Sequence, residues 1–154
     1  MGDDLTGKSY RDELMRADPR PDAEELRRKV AVYHEYYRTY GKAKEAFLDA
    51  HADDIEAFQF TDDDPNLGLA LAALRASMYD EPDFLFLVAA GPLEDILRKP
   101  DQDILARVLV EARKSARFRW MLTGIFLHAI PDVARPEIVL AIGTMTEADP
   151  MPPR

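Results

Sequence analysis

The sequence predicts an all-α protein, a compact antiparallel helical bundle or helical-hairpin array of about seven to eight helices. Three observations carry this expectation. Apolar residues recur three or four apart in one segment after another, as in Leu26, Val30, Tyr33 and Tyr37, which is the period of a helix face and not the alternation of a strand. Helix-start signals near Pro65, Pro82, Asp101, Arg117 and Pro136 recur about 18 residues apart. No pair of alternating apolar runs joined by a turn signal occurs anywhere.

The elements follow in order. Residues 1–21 are polar, mixed in charge and end in prolines, and read as an N-terminal arm. A single domain then spans 22–147. Its first helix has Asp22 as N-cap, Glu24 and Glu25 in the first turn and a stripe of Leu26, Val30, Tyr33, Tyr37 and Tyr40. Gly41 marks its end. A second helix is expected over Lys42 to Phe58, with Phe47, Leu48, Ile55 and Phe58 inward. Asp62-Asp63-Asp64-Pro65 opens a third, with Leu67, Leu71, Leu74 and Met78 inward and Ala70 and Ala73 allowing close approach.

Glu81-Pro82-Asp83 opens a short run, Phe84 to Ala90, apolar on all sides and therefore expected to be buried on all sides. Gly91 is expected to stop it and Pro92 to start a brief helix to Arg98. Asp101 caps a longer helix with Ile104, Leu105, Val108, Leu109 and Ala112 inward. Ser115 breaks it, and Phe118, Met121, Leu122, Ile125 and Phe126 form the next stripe. Pro136 starts the last helix, with Ile138, Val139, Ile142 and Met145. Residues 148–154 form a proline-rich tail that cannot continue a helix and is expected to fray.

Composition limits the function. The 154 residues fit one domain. The chain has no Cys, which removes disulfides, thiolate metal sites and a Cys nucleophile. No secretory leader pattern and no apolar run of membrane length is seen, so no membrane is expected and the expected compartment is the cytoplasm. The net charge is −9. Residues 1–64 hold 10 basic and 17 acidic side chains, so most of the acidity lies there. Such a field repels nucleic acid and favours a basic protein partner.

Few residues point to chemistry. His34, His51 and His128 stand in no zinc-ligand spacing, and neither a metal nor a cofactor is expected. The Asp62 to Asp64 run lacks the alternation, central Gly and distal Glu of a calcium loop. No glycine-rich phosphate loop or nucleophile elbow occurs. Glu94 and Asp95 follow Pro92, where the helix dipole accounts for them. Two surface candidates remain. Arg113, Lys114, Arg117 and Arg119 place four positive charges within seven residues, an anion or partner-binding patch. Tyr36 lies off the tyrosine stripe of its helix, where it can serve recognition.

The run Gly91-Pro92-Leu93-Glu94-Asp95-Ile96-Leu97, followed by Arg117-Phe118-Arg119 with Leu122, Gly124, Ile125 and Phe126, resembles a small bacterial domain family of unknown function. Its pattern is a Gly-Pro-Leu-Glu-Asp-Leu-Leu helix start and a Phe-Arg-x-x-Leu-x-Gly helix. The resemblance covers roughly residues 65–130. The chain departs from it at Lys99-Pro100, where the family often has His-Gly, and at Phe126, where it commonly has Trp. The resemblance implies a small all-helical protein and brings no catalytic residue. The reading is a non-catalytic protein-binding domain, with an immunity-type inhibitor or a regulatory partner of a basic protein as its specific forms. The alternatives are a small-ligand-binding helical domain and a small enzyme.

Overall fold

The computed structural model of the chain describes residues 23–59 and 64–154. The expected N-terminal arm, Asp62, Asp63 and the side chain of Phe58 lie outside that description. Among the described residues the regular structure is helical, without a strand. The α-helices are α1 (Ala23–Arg38), α2 (Gly41–Ala50), α3 (Ala52–Gln59), α4 (Pro65–Met78), α5 (Pro82–Val88), α6 (Glu94–Arg98), α7 (Gln102–Lys114), α8 (Ala116–Leu122) and α9 (Arg135–Ile142).

Helix α4 is the centre of the molecule. Asp64 accepts the N–H of Leu67 at 3.1 Å and Pro65 supplies the first turn, so the expected start holds. Every residue from Gly68 to Ala76 is buried, where a single inward stripe was expected. The small side chains Ala70, Ala72, Ala73 and Ala76 make this possible, because neighbours can close in on all sides. Helices α1, α5, α6, α7 and α8 all pack against it. The one charge on this run is Arg75, fully buried, with its guanidinium 4.7 Å from the centroid of the Tyr33 ring. Burial pulls its pKa down to about 9, so it stays a cation at neutral pH.

Several expectations need correction. The second helix breaks at His51, giving α2 and α3 where one helix was expected. Gly91 and Pro92 do not separate two helices. Residues Ala89–Leu93 form a π-helical turn that joins α5 to α6 without interruption. Pro92 has no N–H to give the carbonyl four residues back, and its ring clashes there. Widening the helix by one residue accommodates it, and the Glu94 N–H closes on the Ala89 carbonyl.

The α8 stripe stops at Leu122, and the chain then turns, so Phe126 is 57 % exposed and not inward. Tyr40 is likewise exposed, because α1 ends at Arg38 before its next turn inward. Gly41, at φ +60°, makes the corner between α1 and α2.

The tail is a further correction. The indole Nε1–H of Trp120 donates to the Asp149 carbonyl at 3.0 Å, and Arg117 Nε to the Pro152 carbonyl at 2.9 Å. Arg154 grips both oxygens of Asp80, at 2.7 and 3.1 Å. The proline-rich end, expected to fray, is therefore placed as a strap lying back across α8.

Candidate functional site

The four basic residues expected to form a patch part company. Arg117 is 4 % exposed. Besides the tail, it donates to the carbonyls of Ala76 and Tyr79 at 3.2 and 3.1 Å and to Asp80 at 2.7 Å. It thus satisfies orphan carbonyls at the end of α4. Arg119 is half-buried and donates to the Ala112 carbonyl of α7 at 3.2 Å. Arg113 and Lys114 are exposed at the end of α7. The physical reason is periodicity: positions 117 and 113–114 lie on either side of a helix break at Ser115, whose side chain caps α8 through the Phe118 N–H. Tyr36 is half-buried against the core, with the Lys44 ammonium 4.4 Å over its ring. It packs beside α2 with part of its side chain still exposed.

Sequence reading missed a second cluster. His34 of α1 meets the connector between α4 and α5. Its Nε2 lies 2.5 Å from Glu81 Oε1. Tyr79 stacks on the imidazole at 4.0 Å, and Phe84 meets it edge-on at 4.9 Å. The ring is 8 % exposed. Its faces are taken up by packing, so the pair ties α1 to the connector.

Exposed apolar side chains and a cleft occur together along α7 and α9. A cleft of about 420 Å³ runs between them, lined by Leu105, Leu109, Val133, Asp101, Glu137 and Arg113 among others. Val133 is 87 % and Leu140 83 % exposed, and Val139 is also open. Helix α9 is held in place from below. Arg135 donates to the Leu127 and Ile130 carbonyls at 2.9 and 2.8 Å and pairs with Asp132 at 2.9 Å. This corrects the expectation that Val139 faces inward: of the apolar run Ile138 to Ile142, Ile138 alone is fully buried. Five successive apolar residues cannot share one helix face, which spans about 100°. That was the signal in the sequence for an open apolar surface here.

Asp101, which caps α7 by accepting the Ile104 N–H at 2.7 Å, and Arg113, in its last turn, mark the two ends of the cleft. At 1.5 Å per residue they stand roughly 18 Å apart along the axis. The cleft therefore extends along about three turns of α7, with Leu105 and Leu109 between Asp101 and Arg113, and Glu137 of α9 in its lining as well.

Among the described residues no group of three or more His, Asp or Glu is placed to hold a metal ion, and no helix is long and apolar enough to cross a membrane. The family described as "Family of unknown function (DUF6869)" matches residues 44–140, the span that includes α3 to α8 and most of α2 and α9. No curated protein and no solved structure matches the chain.

Proposed function

The chain belongs to this family of unknown function, and we propose that it is a non-catalytic bacterial protein-binding domain whose contact face is the cleft between α7 and α9. One observation carries the reading: Val133, 87 % exposed, lines a cleft together with Leu105 and Leu109, and Leu140, 83 % exposed, follows three residues after the lining residue Glu137 on α9. Water-exposed apolar side chains grouped at a groove are what association covers. The length of the cleft and its charged ends fit an amphipathic helix of about three turns, laid in with a basic residue beside Asp101 and an acidic one beside Arg113. A net charge of −9 supports a basic partner, by steering its approach. An inhibitor of a basic toxin and a regulatory partner both meet this description.

The small-enzyme alternative rests on His34 beside Glu81 and on His51, which lines a shallow pocket with Asp49, Asp53 and Asp54. The stacking of Tyr79 and the edge of Phe84 on the His34 imidazole speak for a packing role and leave little room for a substrate.

The test places a photo-crosslinking residue in the full chain at Val133 and at Leu140, with Arg27 on α1 as control. The expected result is one polypeptide adduct common to both cleft positions and absent at the control. Leu140→Asp in the crosslinking chain should abolish it while helicity is retained. Equal labelling at all three positions, or none at the cleft, would overturn the reading.

A further inference from the structure

The strap over residues 149–154 has the form of a bound peptide. Pro150, Pro152 and Pro153 fix their own φ near −65°, and Asp149, Met151 and Pro152 each precede a proline, which biases them to extended geometry. Such a segment loses little entropy when it docks. The two carbonyls that accept hydrogen bonds belong to Asp149 and Pro152, three residues apart, the repeat of a polyproline helix. Met151 between them packs against the core, and Arg154 follows with its two contacts to Asp80.

The receiving groups do not need the strap to stay in place. Arg117 is anchored by the Ala76 and Tyr79 carbonyls and by Asp80, and Trp120 by the half-buried Phe86, whose tilted ring lies 4.4 Å from the indole, centroid to centroid. Both donate to main-chain carbonyls, which any proline-rich segment offers. The strap leaves the domain at Gly143, with φ +64°, and residues 146–149 are exposed. The turn there is held by bonds internal to it, Thr146 N–H to Asp149 Oδ2 at 2.8 Å and Asp149 N–H to the Thr146 carbonyl at 3.1 Å.

We infer that Trp120, Arg117 and Asp80 form a recognition site for an extended proline-rich segment of a partner protein, one with an apolar residue between prolines and a cation after them, and that the chain's own tail holds this site closed. The inference does not depend on the cleft between α7 and α9, and the two fail separately.

Trp120 is the single Trp of the chain, so its emission reports occupancy of the site. A tethered tail competes at an effective concentration on the order of millimolar, so the tail must first be weakened. In the full chain carrying Met151→Gly and Arg154→Ala, emission should shift to the red with helicity retained. A synthetic peptide of the sequence Ala148–Arg154 should then reverse the shift. The same peptide with Gly in place of the Pro152 and Pro153 residues should bind about tenfold more weakly, for loss of preorganisation. Asp80→Asn in the receiving chain should weaken the unaltered peptide several-fold.

If the double variant loses helicity, Arg154→Ala alone should give a smaller shift with the same reversal. Unchanged emission in a folded variant, or no reversal by peptide at several millimolar, overturns the inference. So does a concentration-dependent dimer that exchanges tails and ignores the peptide.

Discussion

Glu94 Oε2 accepts the backbone N–H of Phe126 at 3.1 Å, across 32 residues of chain. Its other oxygen takes Arg98 Nη2 at 2.9 Å, and the residue is 2 % exposed. The helix dipole alone, which the sequence suggests for this residue, is a smaller part of its role. Glu94 ties the π turn to the corner after α8. Glu94→Ala should leave the Phe126 N–H without its acceptor and cost about 2–3 kcal/mol. Glu94→Gln retains an amide oxygen for that N–H and loses only the charge facing a half-exposed Arg98, so it should cost about 1 kcal/mol. Urea unfolding of the three chains measures both. Equal losses for Gln and Ala would mean that the charge matters more than the acceptor.

Helix starts were legible in the sequence because capping is local. Asp64-Pro65, Pro82 and Asp101 begin helices where expected, and the helix expected near Arg117 starts at Ala116, with Ser115, read only as a break, as its cap. Residues whose role depends on a distant partner were not legible. Nothing near Arg117 in sequence says that Asp80 and Pro152 will face it, and nothing near His34 announces Glu81. The π turn was misread because Gly-Pro usually punctuates and here is absorbed by a wider turn. The tail was misread because prolines forbid a helix but not a docked strap. The open face at Val133 and Leu140 was only half visible: the surplus of apolar residues in α9 is in the sequence, while the choice of which ones face out is made by packing.

Gly124 sits where α8 turns toward the 3₁₀ turn at Leu127–Ala129. A Cβ there would lie 2.6 Å from Cδ1 of Phe86, and 3.4 Å from the Ala89 Cβ. Phe86 in turn lies against Trp120, ring centroids 4.4 Å apart, and must shift to admit the methyl. Gly124→Ala should therefore destabilise by about 1–3 kcal/mol, as overpacking does. It should also perturb the near-ultraviolet signal and emission of Trp120. Adding Phe86→Leu should recover part of the lost stability. A fully additive pair would show that Phe86 is not what the new methyl meets.

Arg75 is a cation inside the helix that every neighbour packs against, with Tyr33 over its guanidinium. Its long stem fills space as an aliphatic chain would, while its charge is disfavoured by burial. Arg75→Ala should cost about 3 kcal/mol or more through the cavity it leaves. Arg75→Met fills most of that volume without a charge and should cost clearly less, since apolar replacements of buried ions are often neutral or better. Denaturant midpoints order the two variants. A Met variant as unstable as the Ala variant would show that the charge, through Tyr33 and its other contacts, is indispensable.

Asp80 gives the strap its pH dependence. Its carboxyl is held below the usual range first by the hydrogen bond from Arg154, then by that from Arg117. A depressed carboxylate contributes stability above its unfolded pKa, near 3.9, and loses it as pH falls through the lower folded value. The strap should thus stay docked from neutral pH down to about 4 and release below that. Emission from Trp120 should follow the release as a red shift that comes before the loss of helicity. In Asp80→Asn the carboxylate is absent at every pH, so the tail should be looser at neutral pH and the acid step should disappear from the emission profile. An acid step of the same size in Asp80→Asn would assign it to another carboxylate and leave Asp80 a bystander.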